Sequence, residues 1–385
     1  MHDETEESLL LEVLRSGKWW YGDKVQQFER EYAGFQGSNY AVTCTNGTSA
    51  IEMGLRALGV VNGDEVIVPS YSFIATASAV VTIGAVPVFA DICPDTLCMD
   101  SADVESKITP RTRAVVPVHV SGLIADMDRI NAVADRCGLP VLEDAAHAWG
   151  SQLDGRGAGT LGRAGTFSFQ ETKNITAGEG GILVTNDEEI ADLCRSFTHC
   201  GRTPGSEWYE HNVLGSNLRL TEFQAAVLSA QLCRLEQQIA VRERSAQLFR
   251  DVLSEVAAIQ LPAHAPRMTR RSYHMYIFRL QEGLSAARDE IVDELMAAGV
   301  PVSAGWTRPL YRNDVFQKAH LGPAHGIRTP LADRGVDYSK TVCPVCEQVC
   351  SDAIWIPQNV LLGSEADVLS AATVIRRIIE QKLSG

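Results

Sequence analysis

The chain has 385 residues, 45% of them hydrophobic and 21% charged, an ordinary globular composition long enough for one large domain and a smaller one. Against 48 acidic residues stand 34 basic ones, a formal net charge of −14 with no basic run, which argues against nucleic acid and anionic membranes as partners. Every long apolar stretch is broken by proline, glycine or polar residues, so no membrane span is expected.

The chain opens with "MHDETEESLLLEVLRSGKWW", acidic ahead of a short leucine run. It lacks the basic start and long apolar core of a secretory signal, and a cytoplasmic location is expected. From about residue 40 to 190, short β-rich runs alternate with helical periods. "EVIVPS" leads to the helix-like "ATASAVVTIG" and then to "VPVFADI". "RAVVPVHV" leads to "DMDRINAVADRCG" and then to "PVLEDAAHA"; "AGTFSF", "GGILVTN" and "DEEIADLCRSF" follow. This alternation predicts a mainly parallel sheet with helices on both faces, an α/β fold. In such sheets ligands sit beyond the carboxyl ends of the strands.

A long helical period, "LTEFQAAVLSAQLCRLEQQIAVRERSAQLFRDVL", then carries the chain toward a second domain. We expect a large domain over residues 1–240 and a small α/β domain over 241–385. The second contains a strand ending "YIFRL", a helix in "AARDEIVDELMAAGV" and a closing helix in "EADVLSAATVIRRIIEQKL". Ten cysteines are scattered irregularly, which fits reduced thiols. "CPVCEQVC" brings Cys343, Cys346 and Cys350 close, but a structural zinc site needs a fourth ligand. They read better as small buried hydrophobes, and no metal is expected.

Three stretches carry candidate chemistry. In "CTNGTSAIEMGLRALG", Asn46, Gly47, Thr48 and Ser49 open a helical period. Free N–H groups beside hydroxyls there suit a phosphate, although the same residues also serve as helix caps. "VLEDAAHAWG" puts Glu143 and Asp144 at the end of an apolar strand, with His147 three residues on. A carboxylate there caps a turn or holds a cationic ring nitrogen; the histidine is either packing or a ligand contact. Lys173 follows "TFSF" and precedes "TAGEGG". Near one anion site and one carboxylate, a lysine that loses its proton can form a Schiff base with a carbonyl. The glycines let the backbone turn close to a bound ring.

These residues bring out a resemblance. Over nearly its whole length the chain is similar to the DegT/DnrJ/EryC1/StrS sugar aminotransferases. It runs from "SGKWWYGDKVQQFEREYA" through "TNGTSA", "GDEVIVPSYSFIATASAV", "VHVSGLIADMD", "EDAAHAWGS", "FSFQETKNITAGEGGILVTND" and "GSNLRLTEFQAAVL" to "RPLYRN". The resemblance implies fold type I of the pyridoxal 5′-phosphate (PLP) enzymes, with a seven-stranded sheet in the large domain. It implies that Lys173 holds PLP and moves the substrate proton, that Asp144 pairs with the ring nitrogen, and that His147 lies near the ring oxygen. Phe73 would stack on the ring. Gly47, Thr48 and Ser168 would hold the phosphate, joined by Asn217 from a second subunit, so a homodimer with shared sites is implied.

Trp19, Trp20, Tyr273, His274, Trp306 and Tyr311 resemble positions near the substrate mouth, where packing or dimer contact is the other reading. The implied reaction passes an amino group from L-glutamine or L-glutamate to a keto-sugar or a ketocyclitol of the scyllo-inosose type, in secondary-metabolite (antibiotic) or amino-sugar biosynthesis. The alternatives are an aromatizing enzyme like 3-amino-5-hydroxybenzoate synthase and a PLP-binding regulator without turnover.

Overall fold

The computed structural model describes residues 2–261, 263, 265, 267–317 and 336–384. Its main sheet has seven strands: β1 (Tyr40–Cys44), β2 (Glu65–Pro69), β3 (Val86–Ala90), β4 (Thr112–Val115), β5 (Leu142–Asp144), β6 (Ala164–Ser168) and β7 (Gly181–Thr185). Two ladders, β3-β2-β4 and β5-β6-β7-β1, meet at parallel bridges between Val115 and Val141 and between Val118 and Asp144. Six strands run parallel, and β7 is antiparallel to both its neighbours. The predicted mainly parallel sheet is therefore present, and the strand-like segments fall where the alternation put them. Strands β2, β5, β6 and β7 are buried at every position, as expected of strands covered on both faces.

Helices α2 (Asp23–Gln36) and α3 (Gly47–Ala57) cover the sheet, and α1 (Glu4–Ser16) packs on the long helix that follows. The long helical period becomes α4 (Glu222–Leu253), a helix of 32 residues started by a reciprocal Thr221–Gln224 capping box. Its first residue does a second task. The Glu222 carboxylate accepts from the N–H groups of Lys24 at 3.1 Å and Val25 at 2.9 Å, capping α2 from outside.

Along α4 the buried face changes partner. Ala225, Leu228, Leu232, Leu235 and Ile239 belong to the large core around the main sheet. Ala246, Phe249 and Leu253 belong to a smaller core with Tyr276, Phe278, Ile291, Leu295, Ile354 and Ile375. That smaller core lies on an antiparallel sheet in which β9 (Met275–Leu280) runs between β8 (Ile259–Gln260) and β10 (Ala353–Pro357). Helices α5 (Arg288–Ala297) and α6 (Glu365–Ser384) pack on it. A buried fork joins Arg279 to Asp352, at 2.8 and 2.7 Å.

The chain between these elements returns to the large core, where Leu310, Tyr311, Phe316, Tyr338, Cys343, Cys346 and Cys350 are buried. The three clustered thiols pack there as hydrophobes. The Asp91 carboxylate caps their helix, accepting from the N–H groups of Val345 and Cys346. Among the described residues no helix is long and apolar enough to cross a membrane.

Candidate active site

Asn46–Gly47 follow β1, Phe73 follows β2, Asp144 ends β5, Ser168 ends β6, and Lys173 lies five residues beyond. All of these groups stand at the carboxyl ends of parallel strands and converge on one cavity of about 1090 Å³. Its wall includes Gly47, Thr48, Phe73, Asp144, His147, Ser168, Lys173, His274 and Trp306.

Burial pushes the Lys173 amine down to about 8, against the opposing attraction of Asp144. An amine poised there is free in a useful fraction of molecules near neutral pH, which carbonyl chemistry requires. Its Nζ stands 5.8 Å from the ring centroid of buried Trp149. Burial raises the Asp144 carboxyl, and hydrogen bonds from Thr76 Oγ1 at 2.7 Å and the Ala146 N–H at 3.2 Å pull it back toward the charged form. Thr76 in turn meets the Ser72 hydroxyl at 2.7 Å. Nothing in the sequence pointed to Thr76 or Ser72; their role depends on a contact across 68 residues.

Strand alternation separates the two adjacent carboxylates. Asp144 faces the cavity, whereas Glu143 faces away and is fully buried. Glu143 accepts from His119 Nε2 at 2.7 Å and from the N–H groups of Gly159, Leu161 and Gly162. His119 Nδ1 accepts from Ala125 N–H, so the ring carries its proton on Nε2 and donates it to Glu143. Glu143 thus ties a loop to the sheet and takes no part in the cavity.

At the opposite end of the floor, Asn46 caps α3 by accepting from Ser49 N–H at 2.8 Å, and the N–H groups of Gly47 and Thr48 open the helix. A Cβ on Gly47 would lie 2.7 Å from Ser168 Cβ, so glycine lets the helix start press against the end of β6. The His147 and His274 rings meet at 4.3 Å, tilted by 33°, and Trp306 stacks on His147 at 5.7 Å. Asn174 spends its amide N–H on Ser272 O, so its oxygen faces His274 Nδ1 at 3.1 Å and fixes that ring as the Nδ1–H tautomer. Trp355, Met296, Val302 and Gln358 complete the outer wall; sequence reading passed over all four. Trp355 is held by a hydrogen bond to Tyr71 at 3.1 Å and by the close approach of Gly305, where any Cβ would overlap the indole.

Five candidate residues lie outside this cavity. Tyr311 is fully buried in the large core, donates to Glu347 at 2.6 Å and accepts from Cys343 N–H, so it does not reach the cavity of its own chain. Tyr273, in the left-handed region at φ 46°, packs under the Arg271 guanidinium. Trp19 and Trp20 are 50% and 58% exposed on the surface near α4. Asn217 is exposed and pairs with His199 through a bridge.

The donor set fits PLP on three observations. A helix start with two N–H groups and the Ser168 hydroxyl suits a phosphate. A buried carboxylate and a lysine of lowered pKa share the cavity with it. Among the described residues His147 Nδ1 is buried without a partner, which a ligand's polar group would satisfy.

Comparison with known proteins agrees. The sequence profile of the DegT/DnrJ/EryC1/StrS aminotransferase family matches residues 1–374. The chain is 39% identical to the 3-amino-5-hydroxybenzoate synthase of Amycolatopsis mediterranei, covering 97% of this chain and 95% of that one. It is 36% identical to an L-glutamine:2-deoxy-scyllo-inosose aminotransferase of Streptoalloteichus tenebrarius, covering 95% and 90%. The crystal structure of a 3-amino-5-hydroxybenzoic acid synthase superposes with a TM-score of 0.90 at 37% identity, covering 99% and 97%.

Proposed function

The chain belongs to the DegT/DnrJ/EryC1/StrS aminotransferase family, whose members depend on PLP, and from that premise we propose that it passes the amino group of L-glutamine or L-glutamate to a ketocyclitol or keto-sugar. The observation that carries this reading is the convergence of Lys173, Asp144 and the start of α3 on one cavity. Bound PLP supplies an electrophilic carbon and a sink for the electrons released at the substrate α-carbon.

The chain's own residues do the rest. The Lys173 amine would hold the cofactor and, once freed, would carry the proton from the substrate α-carbon to the cofactor carbon on the far side of the transferred nitrogen. Asp144, whose charged form the Thr76 hydroxyl and the Ala146 N–H favour against burial, would pair with the ring nitrogen and hold its proton. Gly47, Thr48 and Ser168 fix the phosphate, Phe73 covers one face of the ring, and His147 offers Nδ1 to a ring substituent. The outer wall of Trp306, Trp355, Met296 and Val302 limits water and presents flat apolar surface to a ring-shaped substrate. Lys173 is the one lysine or arginine among the described residues of that cavity, so a nucleotide diphosphate would find no further fixed cation in this chain's wall.

A cytoplasmic homodimer is part of the same reading. Trp208, Tyr209 and Leu214 are exposed on the segment before Asn217, a surface suited to a second copy. From there Asn217 of that copy would reach the phosphate. Ten free thiols fit a reducing compartment.

The aromatic wall also favours a second reading, an aromatizing reaction like that named for the synthase relative. One experiment tests both. The enzyme is incubated with PLP, L-glutamine or L-glutamate labelled with ¹⁵N at the α-amino group, and scyllo-inosose-type ketones or keto-sugars. Label in an aminocyclitol supports amino transfer. Loss of water without label transfer supports the second reading, and no label in any amine formed from a ketone or keto-sugar, with either donor, overturns the first.

A further inference from the structure

Arg242, in the middle of α4, is 1% exposed, yet among the described residues no carboxylate pairs with it. Burial lowers its pKa to about 10, so the guanidinium remains charged at neutral pH. A buried charge without a counter-charge is costly, and folded chains rarely keep one without a use. Its sole hydrogen-bond partner there is Gln358 Oε1, which accepts Nε–H at 3.1 Å and an Nη2–H as well; Nη1 is buried without a partner.

This contact fixes the polarity of Gln358. Arginine only donates, so the amide oxygen must turn toward it and the amide NH₂ must turn away. Gln358 lines the active cavity, directly after β10, on the wall that also carries His274, Trp306 and Trp355. The Arg242 charge is felt in the cavity, where it joins burial and Lys173 in holding His274 well below the usual histidine range. Behind the apolar wall stands one uncompensated positive charge, and in front of it a donor that cannot flip.

We infer that Arg242 and Gln358 form a carboxylate subsite of the aminotransferase cavity, in which the Gln358 NH₂ binds a substrate carboxylate and Arg242 acts behind it as a positioning residue and counter-charge. The inference rests on the aminotransferase reading for the identity of its ligand. The α-carboxylate of the amino donor has this chemistry, and under the second, aromatizing reading so does a carboxylate on the ring substrate; the two would take turns in one cavity.

The test measures calorimetric binding of glutarate and of 3-hydroxybenzoate, unreactive stand-ins for donor and acceptor, to the PLP-loaded chain and to its Gln358→Glu and Arg242→Met variants. The half-saturating L-glutamine concentration for converting bound PLP to pyridoxamine 5′-phosphate is measured alongside. Wild type is expected to bind at least one probe. Gln358→Glu should weaken that binding at least tenfold while melting at the same or a higher temperature, because its new carboxylate satisfies Arg242. Half-saturation should rise more than the rate at saturation falls if the donor is the source. Whichever probe loses affinity names the source. Failure of wild type to bind either probe, or affinities within twofold of wild type in both variants, overturns the subsite.

The aminotransferase reading can fail separately. If carboxylates bind in a Gln358-dependent manner and neither L-glutamine nor L-glutamate ever converts the PLP, that reading falls and the subsite stands. Conversion with unmoved probes and half-saturation gives the reverse.

Discussion

The floor of the cavity takes Asp144, Ser168, Lys173 and the start of α3 from the ends of the main sheet, whereas its outer wall takes His274, Trp306, Trp355 and Gln358 from the chain beyond residue 270. Floor residues are held by the backbone of the main sheet and its helices: a strand end, a helix cap, a glycine pressed against Ser168. Wall residues are held by side-chain hydrogen bonds to other elements, Trp355 to Tyr71 and Gln358 to Arg242. Chemistry common to a family can rest on the first arrangement. Choice of substrate can vary through the second without disturbing it.

The comparison breaks most readily at the floor. Lys173→Ala should abolish covalent PLP retention and slow the half-reaction with L-glutamine by at least about 10³-fold, read by single-turnover absorbance. Wild-type retention of borohydride-reducible PLP by this variant would remove the amine from its role.

The two carboxylates of β5 sharpen the same contrast. Asp144→Asn should cost about 10²-fold in the half-reaction with little change in melting temperature, because the lost carboxyl is one that burial already disfavours. Glu143→Gln should do the opposite. It leaves four donors facing a weaker acceptor and should lower stability by about 3 kcal/mol in chemical denaturation, with the surviving folded enzyme active. Equal activity losses in both would contradict the assignment of one to the cavity and one to the loop.

A smaller effect is expected from pH. The Lys173 pKa is lowered to about 8, so its amine is free above that value and protonated below it. PLP capture by the cofactor-free chain, followed by stopped-flow absorbance, should therefore quicken about tenfold between pH 7 and 9 and then level off. A rate that keeps climbing to pH 10 would mean that burial does not lower this amine. The wall should give the smallest change: Trp306→Ala should raise the KM for the ketone by about tenfold or less while leaving the L-glutamine half-reaction within about twofold.

The floor was legible in the sequence, and the wall largely was not. Lys173, Asp144 and Gly47–Thr48 each follow a β-rich run, and the alternation alone sets such residues at one edge of a parallel sheet. The opposed faces of Glu143 and Asp144 were also readable in principle, since neighbours on a strand point apart. Thr76 gave no such signal, being one threonine among small residues in "IATASAVV". His274 and Trp306 came only from the family resemblance. Trp355 lies within the strand pattern "AIWIPQ" and Gln358 ends it, far along the chain from the last strand of the main sheet. Only the packing of the smaller core against the larger brings them over Lys173. Tyr311 shows the converse, since a tyrosine in a family-like motif turns into the core once Glu347 and the Cys343 N–H take its hydroxyl.

The most direct test of the account is the absorbance of the PLP-loaded protein on adding L-glutamine, then L-glutamate, with no ketone present. The account predicts conversion of bound PLP to pyridoxamine 5′-phosphate with at least one of the two donors, and no conversion in Lys173→Ala. A wild-type spectrum unmoved by either donor would contradict it.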